Sequence, residues 1–319
     1  MITYNDVKEI VTNKLVTKTE ERSYEDLSEL IFGEGNCFNE SEVRKRMYGM
    51  KRLIDIIEST ECTYATSILS LSDIHVPFQK DFHVLSKYVG KIDVLQLNGD
   101  ILDCKDLSKF PKMYRTNPVE EMIECRQYLI DLINYIKPKR IVANYGNHCL
   151  RLGSYLAKHL DNELQELMPL TGLDYIFTDG FTHYDRRLGT KTKYSPLVDV
   201  FPNIKFEYTC KWFSIIGDCI FAHPKTFSSS PLKTAEKAMY WFRNEGYNFS
   251  TLVMAHTHRV GQYKIGNSNI FEQGAFCETG KMIYGDGMLV NSQKQGFIVL
   301  YQDENGKTIE SMTRLVSLN

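Results

Sequence analysis

The chain has 319 residues, of which 43% are hydrophobic and 24% are charged, the ordinary composition of a soluble globular protein. Its formal net charge of −2 excludes a global attraction to nucleic acid or acidic membranes, so polyanion binding would require a local patch. No apolar run approaches the ~18–20 residues of a membrane span, and the first residues do not resemble a signal peptide. Eight cysteines without a C-x-x-C pair predict reduced thiols and a cytoplasmic location.

Residues 1–62 are predicted to form a small all-helical region. One helix is predicted to begin at Ser23, with Asp26 completing a capping box, and to end at Gly33. Another is predicted to begin near Asn39, and its apolar stripe comprises Val43, Met47, Met50, Ile54 and Ile57. The other faces of this helix carry basic side chains: Arg44, Lys45, Arg46, Lys51 and Arg52.

Two interpretations of this helical region remain open. A helix, a short glycine-containing loop and a basic helix together resemble a helix-turn-helix, which predicts DNA contact through residues 39–57. Alternatively, the region is a helical cap or dimerisation module whose basic residues are simply solvated.

From residue 66 onward, short apolar runs alternate with helical stretches, which predicts an α/β domain over residues 66–319. Residues 167–211 are rich in Thr, Asp and Tyr and are predicted to form an inserted lobe outside the core. The basic run 186–193 in this lobe is a second candidate for phosphate contacts with DNA. The last third of the chain is predicted to be rich in strands and hairpins.

Metal-capable side chains stand at the ends of the apolar runs, where an α/β enzyme usually presents its chemistry. Carboxylates, imidazoles and one amide oxygen, without thiolates, suit divalent ions such as Mn²⁺, Fe²⁺ or Zn²⁺. Seven candidates exceed the needs of one tetrahedral site and suit two metals about 3.5–4 Å apart with a bridging carboxylate. The candidate ligands are Asp73, His75, Asp100, Asn147, His223, His256 and His258, and His148 stands beside them.

The segments SDIH, NGD, GNH, FAH and AHTH, in that order, resemble the motifs of the calcineurin-like metallophosphoesterase superfamily. The resemblance covers roughly residues 66–300. It implies an α/β fold in which two stacked mixed β-sheets are flanked by helices, an αββα four-layer sandwich with a dinuclear centre at the strand ends. By the family pattern, one metal is held by Asp73, His75 and His258, and the other by Asn147, His223 and His256, while Asp100 bridges the two.

The resemblance also assigns catalytic roles. A metal-bridging hydroxide would attack phosphorus, with Asp100 as the bridging carboxylate, and His148 would act as the general acid. Cys149 stands where the family pattern has an acid that orients this histidine, so another group must hold His148. Arg151 is a candidate contact for the substrate phosphate.

The sequence around the second motif, GDILDCKD, bears on the substrate class. It lacks the Asp-Arg-Gly of phosphoprotein phosphatases, and the motif spacing is closer to that of phosphodiesterases and nucleases. The possible helix-turn-helix of residues 1–62 favours DNA as the substrate, so we expect a phosphodiesterase or nuclease that acts on DNA. We expect it to use two divalent ions, with Mn²⁺ favoured over Fe or Zn²⁺. The alternatives are a phosphomonoesterase or a cyclic or other nucleotide phosphodiesterase on small substrates, and a non-catalytic binding scaffold.

Overall fold

The computed structural model describes residues 3–33, 38–60, 64–109, 117–282 and 293–318. By its internal contacts the chain divides into two units, Met1–Thr63 and Tyr64–Asn319. Among the described residues, no helix combines the length and apolar character that a membrane span requires. The described cysteines are free thiols: Cys104, Cys125, Cys149, Cys210, Cys219 and Cys277.

The first unit consists of helices around a small apolar core. Its helices are α1 (Tyr4–Thr12), which continues as a π-helical turn over Asn13–Thr17, α2 (Tyr24–Phe32) and α3 (Glu40–Thr60). The predicted capping box is present, because Ser23 Oγ accepts the N–H of Asp26 and the Asp26 carboxylate accepts the N–H of Ser23. The shared core comprises Val11, Leu27, Val43, Met47 and Ile54. The predicted core position Ile57 lies outside the described side chains.

The second unit contains the strands and the longer helices that support them. Its strands are β1 (Thr66–Leu71), β2 (Val94–Asn98), β3 (Arg140–Asn144), β4 (Phe181–Asp185), β5 (Thr190–Tyr194), β6 (Lys205–Thr209), β7 (Phe213–Ile216), β8 (Cys219–Ala222), β9 (Thr251–Met254), β10 (Val260–Ile265), β11 (Ser268–Gln273), β12 (Gly296–Gln302) and β13 (Arg314–Ser317). Its α-helices are α4 (Pro118–Ile136), α5 (Arg151–His159), α6 (Asn162–Gln165), α7 (Gly172–Asp174), α8 (Leu197–Val200) and α9 (Lys233–Asn244). Short 3-10 helices span Phe82–Tyr88, Lys105–Leu107 and Thr279–Lys281, and a π-helical turn spans Tyr175–Asp179.

Most strands pair into two mixed sheets. One has the order β13-β12-β1-β2-β3-β6, with β1, β2, β3 and β6 parallel and β12 antiparallel to β1. The other has the order β10-β11-β9-β8-β7, with β9 parallel to both of its neighbours. Strands β8 and β9 therefore end at the same edge, as β1, β2 and β3 do in the other sheet.

The sheets stack face to face and are covered by helices on their outer faces. Apolar side chains from both sheets share one buried cluster, which includes Ile68, Val142, Phe221, Val253 and Phe271. The outer face of the six-stranded sheet packs against α4, and that of the five-stranded sheet packs against α9. The predicted four-layer αββα sandwich is confirmed, because each sheet has two apolar faces and each face needs a covering layer.

The predicted inserted lobe is narrower than residues 167–211. Within that range, β6 pairs in parallel with β3 as a sheet strand, and Leu173, Phe177 and Leu197 pack in the main core. Only the hairpin β4–β5 forms a sheet of its own. Strand β6 is an edge strand with charged, half-exposed residues, so its sequence KFEYT lacks the apolar run that marks a central strand.

Candidate active site

The predicted site residues come together where the two sheets present the carboxyl ends of their strands. Asp73 and His75 follow β1, Asp100 follows β2, and Asn147 and His148 follow β3. In the other sheet, His223 follows β8 directly, and His256 and His258 follow β9. Parallel neighbours end at one edge, so loops that are distant in sequence deliver side chains to one place.

The backbone at these positions is held in an uncommon conformation. Asp73, His75, Asp100, His256 and His258 have φ values of 51°, 49°, 46°, 73° and 51°. Few non-glycine residues adopt this left-handed region, although Asp and His do so more readily than most. Such conformations cost about 1–3 kcal/mol each and persist where the surroundings dictate them, which is typical of functional sites.

Two glycines allow the loops to approach closely. A Cβ atom at Gly99, which has a φ of +77°, would lie 2.6 Å from Nδ1 of His223. A Cβ atom at Gly146 would lie 2.6 Å from the backbone N of Asp100. Both distances are far below van der Waals contact, so the packing of the site requires glycine at both positions.

The first group of candidate ligands comprises Asp73, His75 and His258. Asp73 Oδ1 lies 3.1 Å from Nε2 of His258 and 3.8 Å from Nε2 of His75. The two Nε2 atoms are 3.3 Å apart. All three side chains are buried, and their ligand atoms lie within 4.8 Å of one another, a spacing that could hold a metal ion.

The second group comprises Asp100, His223 and His256, whose ligand atoms also lie within 4.8 Å of one another. Nε2 of His223 is 3.1 Å from Asp100 Oδ2 and 3.2 Å from Asn147 Oδ1. It also lies 3.8 Å from Asp73 Oδ1, so the two groups adjoin. His256 Nε2 is buried without a hydrogen-bond partner among the described residues, as expected of a nitrogen that binds a metal ion.

Hydrogen bonds behind the site orient the His223 imidazole and the Asp73 carboxylate. His223 Nδ1 donates to the backbone oxygen of Asn98 at 2.9 Å, which turns its Nε2 toward Asp100. The backbone N–H of His256 donates to Asp73 Oδ2 at 3.1 Å. The contact at Nδ1 fixes the tautomer and direction of the His223 imidazole, and the N–H of His256 orients the Asp73 carboxylate.

The carboxylates concentrate negative charge in a buried space. Burial opposes ionisation of Asp100, but the neighbouring imidazoles, His223 first, hold its pKa well below the usual range. Burial alone would lower the pKa of His75 and of His223, but nearby carboxylates raise them to about 10 and about 9. Burial and the charge of His223 lower the pKa of His256 to about 3. Divalent cations would replace the protons that this carboxylate-rich pocket attracts.

His148 lies between Asp100 and a second carboxylate, Asp103. Its Nδ1 lies 2.8 Å from Asp103 Oδ1, and its backbone N–H donates to Asp100 Oδ1 at 2.7 Å. Nη2 of Arg151 lies 3.0 Å from Nε2 of His148, and the Nη1 of the same arginine donates to the backbone oxygen of Asp103. Burial lowers the pKa of His148, and the Asp100 carboxylate opposes that shift.

Asp103 is therefore the carboxylate that contacts His148, in a chain that has Cys149 where the family pattern has an acid. The same Asp103 Oδ1 lies 3.3 Å from His75 Nδ1, an ion-pair distance without hydrogen-bond alignment. The sequence showed Asp103 three residues after Asp100, but only the fold reveals that it faces His148.

Cys149 has a different role in the loop. Its buried Sγ accepts the backbone N–H of Gly146 at 3.4 Å, and burial raises the pKa of its thiol to about 12. The thiol therefore stays protonated near neutral pH, which argues against a nucleophilic role.

A basic cleft opens from the site. This cavity of about 680 Å³ is lined by Asn147 and Arg151 and extends along one side of α5. Its other basic residues are Lys109, Lys158, His159 and Lys225. In a chain with a net charge of −2, this local concentration of positive charge favours an anionic ligand. The sequence analysis identified Arg151 but none of the lysines.

The comparison with family models agrees with the motifs. A family model described as calcineurin-like phosphoesterase matches residues 66–260. Among solved structures, Vacuolar Protein Sorting 29 from Cryptosporidium parvum is 13% identical, with 81% of this chain and 100% of that chain covered and a TM-score of 0.38. A novel archaeal phosphodiesterase is 13% identical, with 79% and 99% covered and a TM-score of 0.35. A metallophosphoesterase from Sphaerobacter thermophilus is 13% identical, with 77% and 88% covered and a TM-score of 0.34. No curated protein matches the chain significantly.

Proposed function

The chain belongs to the calcineurin-like phosphoesterase family and is a metal-dependent phosphoric ester hydrolase, and on this premise we propose that it is a phosphodiesterase or nuclease acting on DNA. The observation that carries this proposal is the basic cleft that opens from the site at Asn147 and Arg151. A phosphomonoester places its charge at the reacting phosphate alone, whereas a polynucleotide carries further phosphates that can occupy such a cleft.

The ligand set fits two divalent cations. Asp73, His75 and His258 would hold one ion, and Asn147, His223 and His256 would hold the other, with Asp100 shared between them. The buried, unpartnered Nε2 of His256 and the carboxylate-rich surroundings support this fit. Oxygen and imidazole donors without thiolate favour Mn²⁺, with Fe or Zn²⁺ as further candidates. When bound, such ions polarise phosphoryl oxygens and lower the pKa of water.

The chain's own residues would handle the proton and the phosphate. His148, oriented by Asp103, would donate its proton to the departing alkoxide oxygen. Arg151 borders both His148 and the cleft, so its guanidinium can pair with a phosphate oxygen. The tight packing at Gly99 and Gly146 keeps these side chains in position before substrate arrives.

The first unit supplies a second basic surface. Arg44, Tyr48 and Arg52 follow the i, i+4, i+8 spacing on α3, and all three are exposed. Arg46 is engaged differently, because its guanidinium lies 3.9 Å from the centre of the Phe38 ring and 3.5 Å from the Glu42 carboxylate. Two arginines that flank an exposed tyrosine suit contact with DNA phosphates, which supports the helix-turn-helix interpretation of residues 39–57.

The hairpin β4–β5 adds a third basic surface over residues 186–193. Arg186 and Arg187 lie in its exposed turn, and Lys191 and Lys193 lie exposed on β5. Their charges would contribute sequence-independent, salt-sensitive contacts with a phosphate backbone.

A panel of phosphoesters tests the proposal. With Mn²⁺, we expect cleavage of single- or double-stranded DNA and of bis-p-nitrophenyl phosphate, with much less activity on p-nitrophenyl phosphate. The Asp100→Asn variant, purified in the same way, controls for contaminating nucleases and should lack all these activities. Hydrolysis of small diesters without cleavage of any nucleic acid would refute the DNA proposal.

One observation favours a second candidate. The cleft volume of about 680 Å³ falls within the range of about 300–1,000 Å³ that is typical of small-molecule sites. A nucleotide or cyclic-nucleotide phosphodiesterase would therefore also fit. Cyclic nucleotides in the same panel separate the two, because an enzyme of this kind would prefer them to DNA and would show little dependence on salt.

A further inference from the structure

A second cavity, of about 280 Å³, is lined by three aromatic side chains and six other residues. Trp212, Phe227 and Trp241 supply its rings, and Lys237 supplies a positive charge. These residues come from the segment before β7, the loop after β8, and α9. We refer to this cavity as the aromatic pocket.

Residues that line the aromatic pocket contact two of the candidate metal ligands, His223 and His256. The ring centre of Phe227 lies 5.3 Å from that of His256. Pro224, which also lines the pocket, follows His223 in the chain, and the backbone N–H of His223 donates to the carbonyl of Trp212 at 2.8 Å. A ligand in the pocket would therefore lie close to the side of the candidate metal centre that His223 and His256 form.

Two of the three rings of this pocket are exposed to solvent, and the third, Trp212, is partly buried. Phe227 is 49% exposed and Trp241 is 41% exposed. Exposed aromatic rings beside a cavity offer faces on which another planar group can stack.

The pocket is held in shape before any ligand arrives. Arg259, next to His258, donates to the carbonyls of Ser229 at 2.8 Å and Ser230 at 3.1 Å, which fixes the loop that carries Phe227. The Trp241 ring packs 5.1 Å from that of Trp212. A preformed pocket loses little entropy when a ligand binds.

We propose that the aromatic pocket binds a nucleobase of the phosphodiester substrate, next to the scissile phosphate. The inference rests on the proposed function and specifies how that substrate is recognised. Every base offers a flat π-face to an aromatic ring, so stacking gives affinity without strict sequence preference. A volume of 280 Å³ is below the usual range for whole ligands of about 300–1,000 Å³ and suits a planar ring.

The chain offers a direct optical test of binding. It has two tryptophans, and both line the pocket, so intrinsic tryptophan fluorescence reports on this place. With Mg²⁺ present, thymidine 5′-monophosphate should quench the fluorescence saturably after correction for absorbance, whereas deoxyribose 5-phosphate should not. In the Phe227→Ala variant the apparent Kd should rise about tenfold, equivalent to about 1.4 kcal/mol. Equal quenching by both ligands, or none by either, would overturn the inference.

A kinetic experiment links the pocket to substrate use. DNA oligomers with one cleavable phosphodiester are compared with oligomers that carry an abasic residue beside that bond. The ratio of kcat/KM for intact over abasic DNA should fall about tenfold in Phe227→Ala and in Trp241→Ala. The Trp241→Phe variant, unlike Trp241→Ala, should keep much of the wild-type ratio. Tyr240→Ala is the matched control, because Tyr240 is 50% exposed on the same helix but does not line the pocket.

Failure of the proposed nuclease function and failure of the nucleobase inference give different experimental results. Saturable quenching by the nucleotide without DNA cleavage would refute the proposed nuclease function and support base binding in the pocket. Cleavage of intact and abasic DNA at equal rates, with a ratio that none of these variants changes, would support the nuclease and overturn the nucleobase pocket.

Discussion

The charged side chains of the candidate active site are buried against one another, whereas those of α3 stand exposed to water. Asp73 and His223 are both 0% exposed, and Asp100 is 1% exposed. Arg44 and Arg52, by contrast, are exposed on the helix surface. A buried charge that loses its partner stays desolvated and unpaired, which is costly, while an exposed charge is screened by water and salt.

This difference in burial determines how each region can act. The buried cluster can impose one geometry on a reacting group, because its side chains are fixed by neighbours and cannot relax. The exposed basic face can attract a polyanion but imposes little geometry. Substitutions in the cluster should therefore affect catalysis strongly, and those on α3 should affect binding weakly and in a salt-dependent way.

The largest effect is expected for Asp100→Asn. Asp100 Oδ2 lies 3.1 Å from His223 Nε2 in the second ligand group, and Asp100 also clusters with His75 of the first, so its charge borders both groups. Activity on diesters should fall by more than the about 10²–10⁴-fold that a general acid alone supplies. Metal analysis of the purified variant should also show less than the wild-type content. Asp131→Asn, on the exposed side of α4, is the control. Wild-type activity and a full metal content in Asp100→Asn would contradict the assignment of Asp100 as a shared metal ligand.

His148→Gln should show the next largest effect, and it should depend on the leaving group. Cleavage of DNA, where the leaving alkoxide needs a proton, should fall about 10²–10⁴-fold. Hydrolysis of bis-p-nitrophenyl phosphate should fall much less, since p-nitrophenolate leaves without protonation. An equal loss of activity on both substrates would argue against an acid role for His148. His83→Gln, at an exposed histidine, serves as the control.

Asp103→Asn should produce a smaller loss with the same leaving-group dependence. Asp103 acts through His148, as a positioning residue, and removal of such outer contacts typically costs about 10–100-fold. The matched control is Cys149→Ser, at the residue that follows His148 in sequence. If Cys149→Ser, and not Asp103→Asn, changed the leaving-group dependence, Asp103 would not be the group that orients the histidine.

The smallest effect is expected on α3. In the double variant Arg44→Gln/Arg52→Gln, kcat on small diesters should stay at the wild-type value. The slope of log Kd for DNA against log salt concentration should decrease by about 2, because each phosphate contact contributes about one unit. Lys18→Gln, which removes an exposed charge outside α3, provides the comparison. An unchanged slope in the double variant would remove α3 from the DNA surface.

Much of the fold and of the site was predictable from the sequence, because the relevant signals are local. A capping box and a glycine fix the ends of α2 through contacts within a few residues. The strand-end motifs identified the phosphoesterase family and the layered α/β fold, and both predictions are confirmed. A divalent-metal site is supported by the clustered side chains, while the choice of metal and the action on DNA remain predictions.

The tertiary structure decided what depends on distant parts of the chain. Asp103 and His148 are 45 residues apart, and they meet because β2 and β3 pair in parallel and end at one edge. The aromatic pocket draws Trp212, Phe227 and Trp241 from three segments, none of which carries a recognisable motif. The sequence by itself determined which chemical groups stand at the strand ends, since local pattern governs where strands stop. Only strand pairing and packing determined which of those groups touch, because contact depends on the whole sheet.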